Sequence, residues 1–162
     1  MYDISMITGD GIGPELAESA SAVIKALDEK LGVKLVTSKL VAGDAALKDM
    51  GNALPKETLD AIKNSDACLK APVGESAAAV IVVLRRKLDL YANIRPAKSY
   101  PGTTALRNDV DLVVVRENTE DLYSGHEIDM GDSAIALRII SKKASLRIAK
   151  HAFDTALWRE RK

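Results

Sequence analysis

The 162-residue sequence has one cysteine, two histidines, no net charge and no long apolar run. A lone cysteine excludes an internal disulfide, and Cys68, between Ala67 and Leu69, reads as a packed thiol rather than a nucleophile. His126 and His151 have no Cys or His partner at ligand spacing, so no zinc-type centre is expected. Lys+Arg and Asp+Glu both number 23, which argues against nucleic-acid or membrane partners bound by bulk charge. No stretch approaches the roughly 20 apolar residues that a bilayer span needs. Asp3 and Gly9-Asp10-Gly11 break up any leader-like start, and a cytoplasmic setting is expected. Repeats and low-complexity segments are absent too. At 47% hydrophobic and 28% charged residues, the chain reads as a soluble α/β protein able to bury a core of its own.

Strand-like and helix-like patterns alternate along the first half. Residues 2–8 read as a strand, followed by Gly9-Asp10-Gly11-Ile12-Gly13-Pro14-Glu15 and a helix with Leu16, Ala20, Val23, Ile24 and Leu27 on one face. Pro14 suits a first helical turn. The three glycines tempt one toward a dinucleotide loop, but Glu15 puts a carboxylate where a pyrophosphate needs free N–H groups. A tight turn that lets another group approach the backbone fits better. A strand over 33–40, a helix over 43–50 stopped by Gly51, a helix over 54–62 and a short buried strand over 67–71 complete three β-then-α repeats. That is the pattern of a mostly parallel sheet. Further on come a helix over 77–88, a strand from Leu90 whose Pro96 bars it from a central ladder, and a further strand over 135–140. A last helix begins at Lys142, with Leu146, Ala149, Phe153, Ala156 and Leu157 on one face, and runs to the charged end Arg159-Glu160-Arg161-Lys162.

Chemistry concentrates at Asp111–Gly125. Leu112-Val113-Val114-Val115 reads as a strand buried on both faces, and it ends in Arg116, Glu117 and Asn118. Such groups at a strand end point into a ligand crevice or form a solvated acidic turn. Arg85, Arg95 and Arg116 all stand at element ends. An arginine stays charged and grips a carboxylate with two parallel bonds, so several together would select a small polycarboxylate; singly, each reads as a surface residue. The Tyr123 phenol can donate a proton, or it can be a half-buried core group. The acids Glu117, Glu120, Asp121, Asp129 and Asp132 read as a solvated loop.

Three motifs together resemble the β-decarboxylating dehydrogenases, the isocitrate, 3-isopropylmalate and homoisocitrate enzymes. They are Gly9–Glu15, Leu84-Arg85-Arg86-Lys87-Leu88-Asp89-Leu90-Tyr91-Ala92-Asn93-Ile94-Arg95-Pro96, and Arg116-Glu117-Asn118-Thr119-Glu120-Asp121-Leu122-Tyr123. The resemblance implies that family's fold rather than a Rossmann fold, incomplete at the carboxyl end. Residues 1–98 would begin the large α/β domain and 99–162 the smaller substrate and dimerisation domain. It assigns Arg85, Arg95 and Arg116 to the substrate carboxylates and Tyr123 to protonating the enol left by CO2. Ile12, Lys70, Ala71, Val73 and Gly74 are assigned to the nicotinamide end of NAD or NADP. The family uses Mg²⁺ or Mn²⁺ to polarise the new carbonyl, with metal ligands expected beyond Lys162, and works as a homodimer. The Ser and Asn typical of isocitrate enzymes are replaced by Ala79 and Ile81, which tilts the substrate toward 3-isopropylmalate and leucine biosynthesis. The Arg116–Asp121 wording is closer to isocitrate and archaeal-type members. The chain reaches about halfway through a family member, so it is expected to hold the carboxylate-binding half of the site and to show little turnover alone. The rival reading is a non-catalytic subunit that binds a polycarboxylate or oligomerises.

Overall fold

The computed structural model describes residues 1–159 and divides into two compact units, Met1–Leu84 and one beginning at Arg85. In the first, β1 (Tyr2–Ile7) is the middle strand of a parallel sheet. It is flanked by β2 (Leu35–Leu40) and β3 (Ala67–Lys70), with Ile4 opposite both Thr37 and Ala67. The central position explains why Ser5, Met6 and Ile7 are buried while the outer strands are not. Helices α1 (Gly13–Leu31), α2 (Asp44–Met50) and α3 (Lys56–Lys63) follow the order that the alternation predicts. Pro55 stands before α3, and Gly51 closes α2 in the left-handed conformation.

Three expectations in this unit need correction. β3 is exposed at all four residues rather than buried, because it pairs with β1 alone and forms a sheet edge. Cys68 is accordingly exposed and not a packed thiol. On α1 the inward positions are Gly13 and Ala17, with Ala20, Ser21 and Ile24 half-buried, while Leu16, Val23 and Leu27 face out. Small residues win the inner face because the helix start lies hard against the sheet: a Cβ on Gly13 would stand 2.4 Å from the Thr8 carbonyl oxygen.

Helix α4 (Ala77–Lys87) carries the chain into the second unit. There β4 (Ala92–Lys98) pairs antiparallel with β5 (Asp111–Glu117), Asn93 opposite Arg116 and Arg95 opposite Val114. Pro96 is tolerated because β4 has a neighbour on one side only. The expectation that β5 is buried on both faces is wrong. Val113, Val115 and Glu117 are half-buried, whereas Leu112 and Val114 are exposed, the alternation of a ribbon covered on one face. β6 (Glu127–Asp129) and β7 (Ala134–Ala136) form a second antiparallel ribbon, so the strand expected over 135–140 begins one residue earlier and is shorter.

Helix α5 (Lys142–Trp158) packs against β5 with the face opposite to the one expected. Ala144 is buried and Ile148, His151, Ala152 and Thr155 are half-buried, while Leu146, Phe153 and Leu157 are exposed. On that face the Arg147 guanidinium lies 4.0 Å from the Tyr91 ring centroid and bonds Asp89 at 2.6 Å. Phe153→Ser should therefore change the unfolding free energy by no more than about 0.5 kcal/mol, whereas Ala144→Leu should cost about 1–3 kcal/mol. Denaturant unfolding of the two variants distinguishes the faces. Of the charged end, Glu160, Arg161 and Lys162 lie outside the described residues.

Candidate functional site

Tyr123 sits in a single turn of 3₁₀-helix (Leu122–Ser124) just after β5, between two guanidinium groups. The Cζ atoms of Arg85 and Arg116 lie 5.1 and 5.3 Å from its ring centroid. Nη2 of Arg116 donates to the Tyr123 hydroxyl oxygen at 2.7 Å. That oxygen is thus an acceptor toward Arg116, which leaves its own proton free for a third group. Arg95 stands on the same sheet face as Arg116, because Arg116 is opposite Asn93 and Arg95 lies two residues along from Asn93. Its Nε donates to Asn93 Oδ1 at 3.2 Å. Among the described residues, none of the three arginines has a carboxylate within ion-pairing distance, although eight other pairs form. Gathering uncompensated cations costs free energy unless an anion joins them.

Of the five acids read as a solvated loop, Asp129 and Asp132 are exposed, but Glu117, Glu120 and Asp121 are committed to internal bonds. Glu117 accepts from the Thr119 hydroxyl at 2.6 Å and from the N–H groups of Thr119 and Glu120 at 2.9 and 2.8 Å. Glu120 accepts from the N–H and hydroxyl of Ser141, both at 2.6 Å, and Ser141 caps α5 by accepting from Ala144 N–H. Asp121 pairs with Arg138 at 2.7 Å. Asn118 is buried and committed to structure, donating to the Leu90 carbonyl at 3.1 Å. Asn118 is therefore not free to face a ligand crevice. A cavity of about 340 Å³ opens beside these groups, lined by Arg116, Glu117, Tyr123, Ile140, Ser145 and Ile148 among others. Arg85 and Arg95 do not line it. The contribution of α5 was not foreseen; the Ile140-Ser141 and Ala144-Ser145 spacing was its trace in the sequence.

Burial pushes the Glu117 carboxyl up, but the bonds from Thr119, Glu120 and Asn118 outweigh it and hold the group below the usual range. A depressed carboxyl contributes stability that is complete above its unfolded value and disappears as pH falls through the folded one. Stability should thus be flat near neutrality and begin to fall below about pH 4.3. Glu117→Gln should cost on the order of 1 kcal/mol at neutral pH and little in strong acid. Thermal unfolding across that pH range checks it.

The cofactor candidates lie in the first unit. Ile12 is 60% exposed, in the turn between β1 and α1. Lys70 and Gly74 are exposed and Val73 is half-buried, whereas the Ala71 side chain is buried against Met6 and Ala17. The glycine turn is a close approach of backbone to backbone: a Cβ on Gly9 would lie 1.8 Å from the Pro72 carbonyl oxygen, so the two candidate segments touch. Among the described residues, no three His, Cys, Asp or Glu side chains cluster as metal ligands. Nor is any described helix long and apolar enough to cross a membrane.

Residues 3–162 match the family model described as isocitrate/isopropylmalate dehydrogenase. A 3-isopropylmalate dehydrogenase of Saccharolobus solfataricus is 48% identical over 162 residues, covering 99% of this chain and 48% of its own length. An isocitrate/homoisocitrate dehydrogenase of Thermus thermophilus is 42% identical, covering 99% of this chain and 48% of its own. The crystal structure of isocitrate dehydrogenase from Methylococcus capsulatus matches with a TM-score of 0.86 at 42% identity, over 100% of this chain and 49% of that one. The chain belongs to the isocitrate/isopropylmalate dehydrogenase family, whose named members are oxidoreductases, and it has that family's fold. It spans about half the length of the curated relatives it matches.

Proposed function

We propose that these residues form the carboxylate-binding half of an NAD(P)-dependent dehydrogenase that oxidises and decarboxylates 3-isopropylmalate. The observation that carries the reading is that Arg85 and Arg116 lie against Tyr123, with Arg95 on the same sheet face as Arg116, and that none of the three has a carboxylate partner among the described residues. Carboxylates of the substrate would supply the missing negative charge through paired hydrogen bonds. Ile12 and the Lys70–Gly74 segment would hold the nicotinamide of NAD or NADP, which supplies a hydride acceptor when bound. After CO2 leaves, the Tyr123 O–H would protonate the enol carbon, and the two flanking guanidinium groups would stabilise the phenolate left behind. A divalent metal, which would polarise the new carbonyl when bound, belongs to the same proposal. The substrate preference rests on α4, where exposed Ala79 and half-buried Ile81 precede Arg85 and offer an isopropyl group apolar contact but no bond to a third carboxylate. A cytoplasmic homodimer belongs to the same proposal.

The test is calorimetric titration of the chain with 3-isopropylmalate and with isocitrate. Binding of the first, weakened about a hundredfold by Arg116→Ala, is the expected result, since a charged bond lost from such a site costs about 2–3 kcal/mol. A preference for isocitrate would overturn the substrate, and no binding of either acid would overturn the site.

A further inference from the structure

Two carboxylates tie three backbone segments of the first unit together. Asp10, in the turn after β1, accepts from the N–H groups of Asp44 at 2.9 Å, Ala45 at 3.1 Å and Gly74 at 3.1 Å. Asp44, the first residue of α2, accepts from Glu75 N–H at 3.0 Å and Ser76 N–H at 2.8 Å. The Asp10 N–H donates in return to the Pro72 carbonyl at 2.9 Å. The gaps these carboxylates occupy exist because Gly43 and Gly74 have no side chain. A Cβ on Gly43 would lie 2.1 Å from Asp10 Oδ2, and one on Gly74 would lie 2.0 Å from Asp44 Oδ2.

Among the described residues neither carboxylate forms an ion pair, and backbone N–H groups bond both. Burial raises the Asp10 carboxyl and the neighbouring Asp44 adds to this, but the three N–H bonds outweigh both and leave it lowered. The Ser76 side chain and N–H, with Glu75 N–H, likewise lower Asp44. The other charged groups at this spot are Lys48 and Glu75, which border the same surface depression as Asp44.

We infer that Asp10 and Asp44 are positioning residues that hold the Pro72–Ser76 loop to the Gly9–Gly13 turn, so that the two segments carrying Ile12, Val73 and Gly74 keep one fixed geometry. The inference rests on the dehydrogenase reading for what that geometry serves, since those three residues are among the ones proposed to face the nicotinamide. It assigns a use to the aspartate of the glycine turn and to a second aspartate in a distant part of the sequence.

The test is an NMR pH titration of backbone amides in the intact chain, with NADH and NADPH added separately at neutral pH. In the wild type, Asp44, Ala45 and Gly74 should titrate together, and Glu75 and Ser76 together, both with midpoints below the usual aspartate value of about 3.9. In Asp10→Asn the first three lose their titration. Glu75 and Ser76, which Asp10 does not touch, should shift as well, because the helix end that aims Asp44 is released. Asp44→Asn should move Glu75 and Ser76 alone. Amides that ignore the carboxylates, or Glu75 and Ser76 unmoved in Asp10→Asn, overturn the linkage; the wild-type titration decides this even if a variant does not fold. Either dinucleotide should shift Ile12 and Val73 in the wild type and shift them less in Asp10→Asn. If the amides titrate as expected but neither dinucleotide shifts them, the nicotinamide role fails while the linkage stands.

Discussion

Replacing Tyr123 with phenylalanine is expected to lower turnover of 3-isopropylmalate by about 10²–10⁴-fold, the usual contribution of a positioned general acid. The KM should change little. The variant keeps the ring that lies between Arg85 and Arg116 and removes only the hydroxyl that accepts from Arg116 at 2.7 Å. Substrate carboxylates would still meet the same guanidinium groups, so ground-state binding is preserved while the proton donor is gone. The experiment needs a complete catalytic centre, which a chimera joining this chain to the remaining half of the Saccharolobus solfataricus relative provides. Single-turnover kinetics give a second readout. If Tyr123 protonates the enol carbon, its loss should let decarboxylated product accumulate more slowly than NADH in a single turnover. Equal loss in kcat/KM and in binding would instead assign Tyr123 to holding Arg116 in place. An unchanged kcat would exclude the proton-donor role.

The local punctuation of this fold was legible because it depends on neighbours in the sequence. Gly51 ends α2, Pro55 precedes α3, and the Gly9–Gly13 turn admits the Pro72 backbone as its glycines suggest. The faces of the elements were not legible, and the errors share a cause. Periodicity says which residues of a helix share a face, but not whether that face or its neighbour is covered. On α5 the apolar stripe Leu146, Phe153 and Leu157 is the better pattern, yet the packed face is the one where Arg147 stacks on Tyr91 and bonds Asp89. On β5 an aliphatic run was read as burial on both faces, whereas the partner strand β4 is antiparallel and one face stays open. The arginines were legible as candidates from their place at element ends, and the motif resemblance gave them a shared role. What puts Arg95 beside Arg116 is the β4–β5 register, a long-range pairing that no local pattern encodes. Glu120 was misjudged for the same reason, since Ser141, the group that binds it, is 21 residues away, whereas Glu117 bonds groups only two and three residues on.

Gly9→Ala is expected to abolish the native fold, whereas Gly11→Ala, two residues on, should cost only about 1–2 kcal/mol. Both glycines have positive φ, 67° and 58°, so the conformational strain of adding a side chain is about the same at each. They differ in space. A Cβ at Gly9 would stand 1.8 Å from the Pro72 carbonyl oxygen and 2.8 Å from its carbon, whereas at Gly11 nothing lies within 4 Å. The obstacle at Gly9 is backbone, which no rotamer change can move aside. It is held where it is by Asp10 N–H donating to that same carbonyl oxygen and by the Ala71 N–H bond to Ile7. Relief requires separating the loop from the turn, which would break these bonds and uncover Met6, Ala17 and Ala71, the packed cluster beneath. A loss above about 4 kcal/mol follows, against a total stability of about 5–15 kcal/mol for an ordinary domain. Circular dichroism melts of the two variants side by side separate strain from clash. Equal destabilisation would mean that positive φ alone matters and that the loop can yield. A folded Gly9→Ala variant would show that the Pro72 segment is not fixed against the turn, and the rigid geometry assigned to Ile12, Val73 and Gly74 would have to be abandoned with it.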